Sequence, residues 1–305
     1  MKTISIVSPV YKAALILPEL IERLERAILP LTLEYEIILV DDDSQDGSWE
    51  IIKELALNNK NIIGIKLSRN FGQHAAITAG IDKAEGEWVV VMDCDLQDIP
   101  EEIPNLYFKA QEGYDIVLAR RAIRQDSFFK KYFSLMFYKF LEYLTGTSQD
   151  ASIANFGIYN FKVIKAVVSL RESIRYFPSM VKWVGFKVSK IDVKHGSRLV
   201  GESTYNYGKL FSLALDIILA YSVKPIKMII KFGFLVSFLS FVASIIYFFK
   251  WLNGSISVNG YASLIISICI FSGIIIATLG IIGLYVGKTF EGVKNRPIYI
   301  KAEEI

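Results

Sequence analysis

The chain has 305 residues, 52% of them apolar, and its 34 basic and 31 acidic side chains leave a net charge of +3, too small to argue for a nucleic-acid partner. Its two cysteines, Cys94 in an acidic stretch and Cys269 in an apolar one, exclude a disulfide-stapled scaffold and fit a reducing compartment. The apolar excess is concentrated: no Asp, Glu, Lys or Arg occurs between 251 and 286, whereas charges run throughout the chain before Lys224, so a water-facing part is followed by a membrane part.

Residues 3–10, TISIVSPV, predict a buried strand. The N-terminus lacks an apolar core of signal-peptide length, so the first domain is expected to stay in the cytoplasm. Residues 15–29 predict an amphipathic helix, with Leu20, Leu24 and Ala27 on one side and Glu22, Arg23 and Arg26 on the other. A strand over 36–40 ends in Asp41, Asp42, Asp43 and Ser44, and a helix over 48–58 follows. Next come a strand over 62–67, a helix over 72–84 and a strand over 88–92 that ends in Asp93-Cys94-Asp95. A helix over 100–112 and a strand over 115–119 complete the pattern. Strands alternating with helices predict a mainly parallel sheet covered on both faces. Ligands bind such sheets beyond the carboxyl ends of the strands, where both acidic clusters fall.

Residues 128–144 and 205–221 carry aromatic and apolar side chains at helical spacing, as packed surface helices or as helices lying in a membrane interface. Uncharged runs of 18 and 25 residues occupy 232–249 and 262–286. At ~1.5 Å per residue the longer one reaches about 38 Å, enough to cross a hydrocarbon core of about 30 Å with tilt. Lys224, Lys227 and Lys231 precede the first run, Lys288, Lys294 and Arg296 follow the second, and the linker over 251–261 is uncharged, with only Lys250 bordering it. The positive-inside rule then puts both termini in the cytoplasm. The expected organisation is a cytoplasmic domain over 1–225, a transmembrane hairpin over 228–287 and a cytoplasmic tail over 288–305, a multi-pass protein of the inner membrane.

Asp93 and Asp95 are two residues apart where a strand turns into a loop, with Gln97 and Asp98 after them. Such carboxylates suit a hard cation, Mg²⁺ or Mn²⁺, that neutralises a diphosphate as it leaves. A bare Asp-x-Asp is weak evidence, and its position after a hydrophobic strand strengthens it. For Asp43 and Ser44 the other reading is a cap on the next helix. No Gly-x-Gly-x-x-Gly and no phosphate-loop lysine occurs, which removes support from simple dinucleotide and ATP sites. His74 and His195 are the only histidines and have no second zinc-type ligand at useful spacing; His74 is expected at a structural helix start.

Seven segments together resemble one family. They are SIVSPVY at 5–11, ILVDDDSQDGS at 38–48, LSRNFGQHAAITAG at 67–80, VVMDCDLQDIPE at 90–101, DIVLARR at 115–121, RLVGESTY at 198–205 and GLYVGKTFEGVKNRPIYI at 283–300. In that order they resemble the inverting glycosyltransferases of family two, within them the dolichol-phosphate mannose synthases and bacterial polyprenyl-phosphate glycosyltransferases. The resemblance implies an α/β nucleotide-diphospho-sugar transferase domain (GT-A, Rossmann-like) with interfacial helices, followed by two transmembrane helices. It implies transfer of a sugar, with inversion, from a nucleotide-sugar donor to polyprenyl phosphate for cell-envelope glycans, with Mg²⁺ or Mn²⁺ as cofactor. It favours UDP over GDP and leaves the sugar and a homo-oligomer open.

By the same resemblance Pro9, Tyr11 and Asp42 match positions that hold the base and ribose, and Asp93 a donor-binding carboxylate. Asp95 and Gln97 match metal ligands, with Asp93 beside them. Arg121 and Arg198 match arginines near the donor and acceptor phosphates, whose planar fork suits phosphate, and Ser203 matches a serine of the loop over the site. Four positions depart from the pattern: Lys12-Ala13 replace Asn-Glu, Asp43 replaces a glycine, Thr204 replaces a lysine, and Ala154-Asn155-Phe156-Gly157-Ile158 replaces Gly-Asp-Phe-Arg-Leu. The family's candidate base carboxylate is thus replaced by Asn155, and a neighbouring arginine by Gly157.

Asn155 bears on the acceptor. A sugar hydroxyl needs a general base near pH 7. A phosphate monoester, with a second pKa of about 6, is already mostly a dianion there. An amide fits a phosphate acceptor, unless Asn155 only hydrogen-bonds a loop. The alternatives are a transferase extending a polysaccharide on a hydroxyl, which would need a nearby carboxylate such as Asp150, and a non-catalytic membrane scaffold of the same fold.

Overall fold

The computed structural model describes residues 2–121, 153–170, 175–194, 222, 224–253, 260–294 and 296–305. The two segments expected to lie in the membrane interface, 128–144 and 205–221, fall outside the described residues. The chain divides into an α/β unit and a unit containing two long helices.

The α/β unit alternates β1 (Ile4–Val10), α1 (Leu17–Ile28), β2 (Tyr35–Asp41), α2 (Ser48–Asn58), β3 (Ile62–Leu67), α3 (Gln73–Lys83), β4 (Trp88–Val91), α4 (Ile103–Gln111) and β5 (Ile116–Arg121). Then follow β6 (Ile153–Asn160), α5 (Phe161–Ser169), α6 (Phe177–Trp183), β7 (Val188–Val193) and, at the C-terminus, β8 (Lys301–Glu304). All seven residues of β1 and of β2 are buried, as strands covered on both faces must be. On α1, Leu17, Leu20, Ile21, Leu24, Ala27 and Ile28 are buried at helical spacing, and Pro18 sits in the first turn, where its missing N–H costs nothing. The helix expected over 100–112 begins as a 3₁₀ turn, Pro100–Glu102, before α4, because Pro104 cannot donate back into the preceding turn.

The strand order is β7-β5-β6-β4-β1-β2-β3-β8. The four N-terminal strands are parallel, β1 pairing with β2 on one side and β4 on the other. The chain therefore reverses its winding beside β1, the place where open α/β sheets bind ligands. The expectation of a mainly parallel sheet holds there, but the whole sheet is mixed. β6 runs antiparallel to both β4 and β5, and β8 antiparallel to β3. Two apolar layers sandwich it: α1, α2 and α4 cover one face, α3, α5 and α6 the other. α3 lies so close to β1 that a Cβ on Gly80 would stand 2.3 Å from Val7 Cγ1.

The second unit contains α7 (Lys224–Leu252), of 29 residues, and α8 (Tyr261–Val293), of 33. Their large apolar side chains are widely exposed, Phe234 at 74% and Ile276 at 70%. Among the described residues one segment, Ile270–Phe290 of α8, is long and apolar enough to cross a membrane.

Candidate functional site

The carboxyl ends of β1, β2 and β4 lie side by side, because those strands are parallel neighbours. Beyond β1 come Tyr11, half-exposed, and Lys12; beyond β2 come Asp42 and Asp43; beyond β4 come Asp93, Cys94, Asp95, Leu96 and Gln97. Pro9 is the buried penultimate residue of β1. The described residues with positive φ other than glycine are Lys12 at 55°, Asp43 at 57° and Leu96 at 58°, one in each of these three loops. That conformation costs a non-glycine residue roughly 1–3 kcal/mol, and such residues gather at functional sites. Asp43, where the family carries glycine, meets the same backbone demand with a residue type that tolerates it.

Side chains fix the loops. Lys12, Ala13 and Ala14 present successive backbone amides to the next loop: Lys12 N donates to Ser44 Oγ at 3.0 Å, Ala13 N to Ser48 Oγ at 3.2 Å and Ala14 N to Asp46 Oδ2 at 3.1 Å. Ser44 thus serves the β1 loop and is not a helix cap; α2 is entered through Gly47 in the left-handed region, without a side-chain cap. Burial pushes the Asp46 carboxyl up, but hydrogen bonds from Ser48 and Ala14 outweigh it and hold the group below its usual range.

Asp42 is almost closed to solvent, and its carboxylate accepts Phe71 N at 2.7 Å and Gly72 N at 2.9 Å, the amides leading into α3. Burial, helped by the Asp43 charge, raises its carboxyl above the usual range, and those two amides and the Arg69 charge offset only part of the rise. Arg69 itself lies over the Phe71 ring at 4.1 Å. The next residue, Gln73, donates from Nε2 to Asp93 Oδ1 at 2.7 Å. One short segment, 71–73, therefore orients both Asp42 and Asp93. Asp95 accepts Gln97 N at 3.1 Å across the left-handed Leu96, which closes a tight turn. Between the two acidic residues, burial pushes the Cys94 thiol up to about 12, so it is inert. His74, the second residue of α3, has its Nδ1 shut off from solvent although the residue as a whole is only partly covered. Burial, reinforced by the Arg175 charge, lowers its pKa to about 4, so it is neutral at pH 7.

β6 brings Asn155 to this edge. Its antiparallel register with β4 runs from Trp88↔Asn160 to Val91↔Gly157. Asn155 lies two residues beyond that pairing, where the register of β6 with β5 also slips, toward the end of β4 from which Asp93 follows. Asn155 is half-buried. A Cβ on Gly157 would meet Val117 O at 2.9 Å and Tyr159 Oη at 3.0 Å, so the position that is arginine in the family is closed to a side chain here. Arg121 ends β5, at the same edge of the sheet. Arg198 and Ser203 lie outside the described residues. Sequence reasoning missed Gln73, Asp46 and Arg69 as parts of the site, although Gln73 and Arg69 both stand inside the matched segment 67–80.

Among the described residues no group of three or more His, Cys, Asp or Glu side chains forms a ready cage for a metal. The oxygen set of Asp93, Asp95 and Gln97 fits a hard cation that takes its remaining ligands from a diphosphate and water, as Mg²⁺ usually does.

The sequence model for Glycosyl transferase family 2 matches residues 5–168. An uncharacterized glycosyltransferase, YkcC of Bacillus subtilis, is 37% identical over 97% of this chain and 92% of its own. The undecaprenyl-phosphate 4-deoxy-4-formamido-L-arabinose transferase of Photorhabdus laumondii is 35% identical over 98% of this chain and 93% of its own. Among solved structures, the glucosyl-3-phosphoglycerate synthase of Mycobacterium tuberculosis, in complex with Mn²⁺, UDP and phosphoglyceric acid, superposes with a TM-score of 0.51 at 15% identity, covering 72% of this chain and 77% of that one. The mannosyl-3-phosphoglycerate synthase of Rubrobacter xylanophilus does so at 0.50 and 15% identity, covering 72% of each. The two structures share the fold.

Proposed function

The chain belongs to glycosyl transferase family 2, and we propose that, as a glycosyltransferase of that family, it moves a sugar from a nucleotide donor onto polyprenyl phosphate, with inversion, at the cytoplasmic face of a membrane. Its fold is the GT-A nucleotide-sugar transferase fold, built on a mixed sheet. The observation that carries the acceptor is Asn155. An amide stands in β6 two residues beyond its pairing with the end of β4, where a transferase acting on a hydroxyl would want a carboxylate base. An ionised phosphate oxygen needs no base: its lone pair forms the new bond to the anomeric carbon as the bond from that carbon to the nucleoside diphosphate breaks. The curated relatives of known activity, named for undecaprenyl phosphate and similar over nearly the whole chain, support the same acceptor.

In this reading Pro9, Tyr11 and Asp42 hold the base and ribose of a UDP-sugar, and the amides of Phe71 and Gly72 keep the Asp42 carboxylate in one orientation. Asp93, Asp95 and Gln97 would hold Mg²⁺ or Mn²⁺, which would supply positive charge to neutralise the departing diphosphate. Arg121, Arg198 and Ser203 receive the phosphates of donor and acceptor.

The membrane arrangement is part of the proposal. The domain over 1–225, the hairpin over 228–287 and the tail over 288–305 all stay on or return to one face. In this reading both α7 and α8 are spans, and the return of the chain to the α/β unit's sheet as β8 after α8 supports it. A path that starts and ends in one water-soluble body crosses a bilayer an even number of times.

The test is incubation of the purified protein with undecaprenyl phosphate and a panel of nucleotide sugars, a 4-deoxy-4-formamido-L-arabinose donor among them, with lipid products read by mass spectrometry. A glycosyl-phosphoryl-polyprenol is expected. Transfer only to glycan hydroxyls would overturn the reading.

A further inference from the structure

The last residues of the chain are bound to the sheet edge at both ends of a short strand. Gly64 and Ile305 exchange backbone hydrogen bonds, Gly64 N to Ile305 O at 2.9 Å and Ile305 N to Gly64 O at 3.0 Å. At the other end Ser68 N donates to Ile300 O at 2.9 Å. Side chains reach helices on opposite faces of the sheet. Glu303 accepts Trp49 Nε1 of α2 at 2.9 Å and lies 3.5 Å from Lys53 Nζ. Glu304 pairs with Lys83 of α3 at 2.7 Å, and Tyr299 Oη donates to Asp82 of α3 at 2.8 Å. Lys301 and Lys83 together hold the Glu304 carboxyl below its usual range.

All four residues of β8 are exposed. The strand adds almost nothing to the core, so its work is done through position. Ser68, the last residue it grips, opens the loop that leads into α3. Three residues on, Phe71 N and then Gly72 N hold Asp42, and Gln73 holds Asp93. The gripped edge also carries a register slip between Lys66 and Leu67, just before the loop.

We propose that residues 298–305 are a positioning strap for the donor site: they fix the root of the loop over 68–72, so that the amides orienting Asp42 and the side chain orienting Asp93 are held in place. It rests on the donor reading given above, deepening it from the residues that hold the nucleotide to the segment that holds those residues. A strand that merely covered a sheet edge would guard against pairing with other chains and leave the loop unaffected.

The test uses the full chain in detergent and a variant ending at Pro297 with both long helices intact. Hydrogen exchange is followed at single amides, and the affinity for UDP is measured by calorimetry. In the truncated chain the Phe71 and Gly72 amides should exchange about tenfold faster or more, while amides of β1 and β4 stay protected. UDP affinity should fall about tenfold, with the Michaelis constant for the lipid acceptor unchanged. The free peptide of residues 298–305, added in excess, should restore both. Faster exchange at Gly64 and Ser68 with none at Phe71 and Gly72, or unchanged UDP affinity, overturns the proposal. If truncation unfolds the unit, the double variant Tyr299→Phe, Glu303→Ala replaces it: smaller shifts of the same kind are expected, and their absence again overturns the strap. An intact chain that binds no nucleoside diphosphate would defeat the donor reading, while the exchange data would still decide whether the strap holds the loop.

Discussion

In β1 every side chain from Ile4 to Val10 is buried, whereas Phe234 of α7 is 74% exposed and Ile276 of α8 70% exposed. The glycines differ in the same way. In the α/β unit a Cβ on Gly64, Gly80, Gly86 or Gly157 would run into neighbouring atoms, while Gly233, Gly273, Gly280, Gly283 and Gly287 of the long helices have nothing within 4 Å. One region solves its packing against itself in water. The other presents apolar surface, which under the proposed arrangement faces the apolar interior of a membrane. The proposed function assigns chemistry to the first region and membrane attachment to the second.

The widest test of that division is topological. With Cys269 replaced by alanine and Cys94 silent because its thiol is buried and pushed up to about 12, a cysteine at Ser255, between α7 and α8, should react fully with an impermeant thiol reagent added outside the cell. A cysteine at Leu57, 77% exposed on α2, should react only after permeabilisation. The reverse labelling pattern would invert the membrane arrangement.

Next in size is the loss of a donor carboxylate. Asp95→Ala should lower turnover roughly 10²-fold or more, the scale of removing one preorganised charge stabiliser. Gly280→Ala, on α8, should leave turnover unchanged, since nothing lies within 4 Å of the added methyl. Excess EDTA should abolish activity. Undiminished turnover in EDTA would remove the metal from the reading.

The same pair of regions separates in stability. Gly80→Ala drives a methyl to 2.3 Å from Val7 Cγ1, inside a strand with no freedom to retreat. Overpacking of that kind costs about 1–3 kcal/mol and should lower the melting temperature by several degrees. Gly280→Ala should not lower it. Equal effects at both positions would mean that the long helices are packed in solution as tightly as the sheet.

How much of this was legible in the sequence follows from the range of each interaction. Strands β1 to β4 and their helices appear within a residue or two of their expected ends, because burial on both faces and helical spacing are local patterns. The acidic residues at the strand ends were legible for the same reason. β6 and β8 were not, because their antiparallel partners lie far away in sequence. KAEE, with no apolar face, carries no strand signal of its own. Gln73 and Asp46 were missed because each acts on a residue that only the fold brings near: Gln73 on Asp93, Asp46 on Ala14. The left-handed Lys12 and Leu96 could not be foreseen, since neither residue type favours that conformation.

The smallest expected effect is the most informative about the acceptor. Asn155 lies in β6 just beyond its pairing with β4, and its amide neither gains nor loses a proton near physiological pH. If the nucleophile is an ionised lipid phosphate, nothing at this position has to accept a proton. The rate should then follow the phosphate's own ionisation, rising through about pH 6 and levelling above it. Asn155→Ala should lose only a hydrogen bond, about 0.5–1.5 kcal/mol, or about tenfold at most in rate, with the pH profile unmoved. Arg198→Ala should lose more, because it leaves phosphate charge unpaired. Asn155→Asp tests the same point from the other side: a second negative charge beside an arriving phosphate should slow transfer to polyprenyl phosphate. A transferase acting on hydroxyls should instead gain from the restored base. Faster transfer to a free sugar hydroxyl by Asn155→Asp, with a new enzyme pKa in the rate profile, would defeat the phosphate reading.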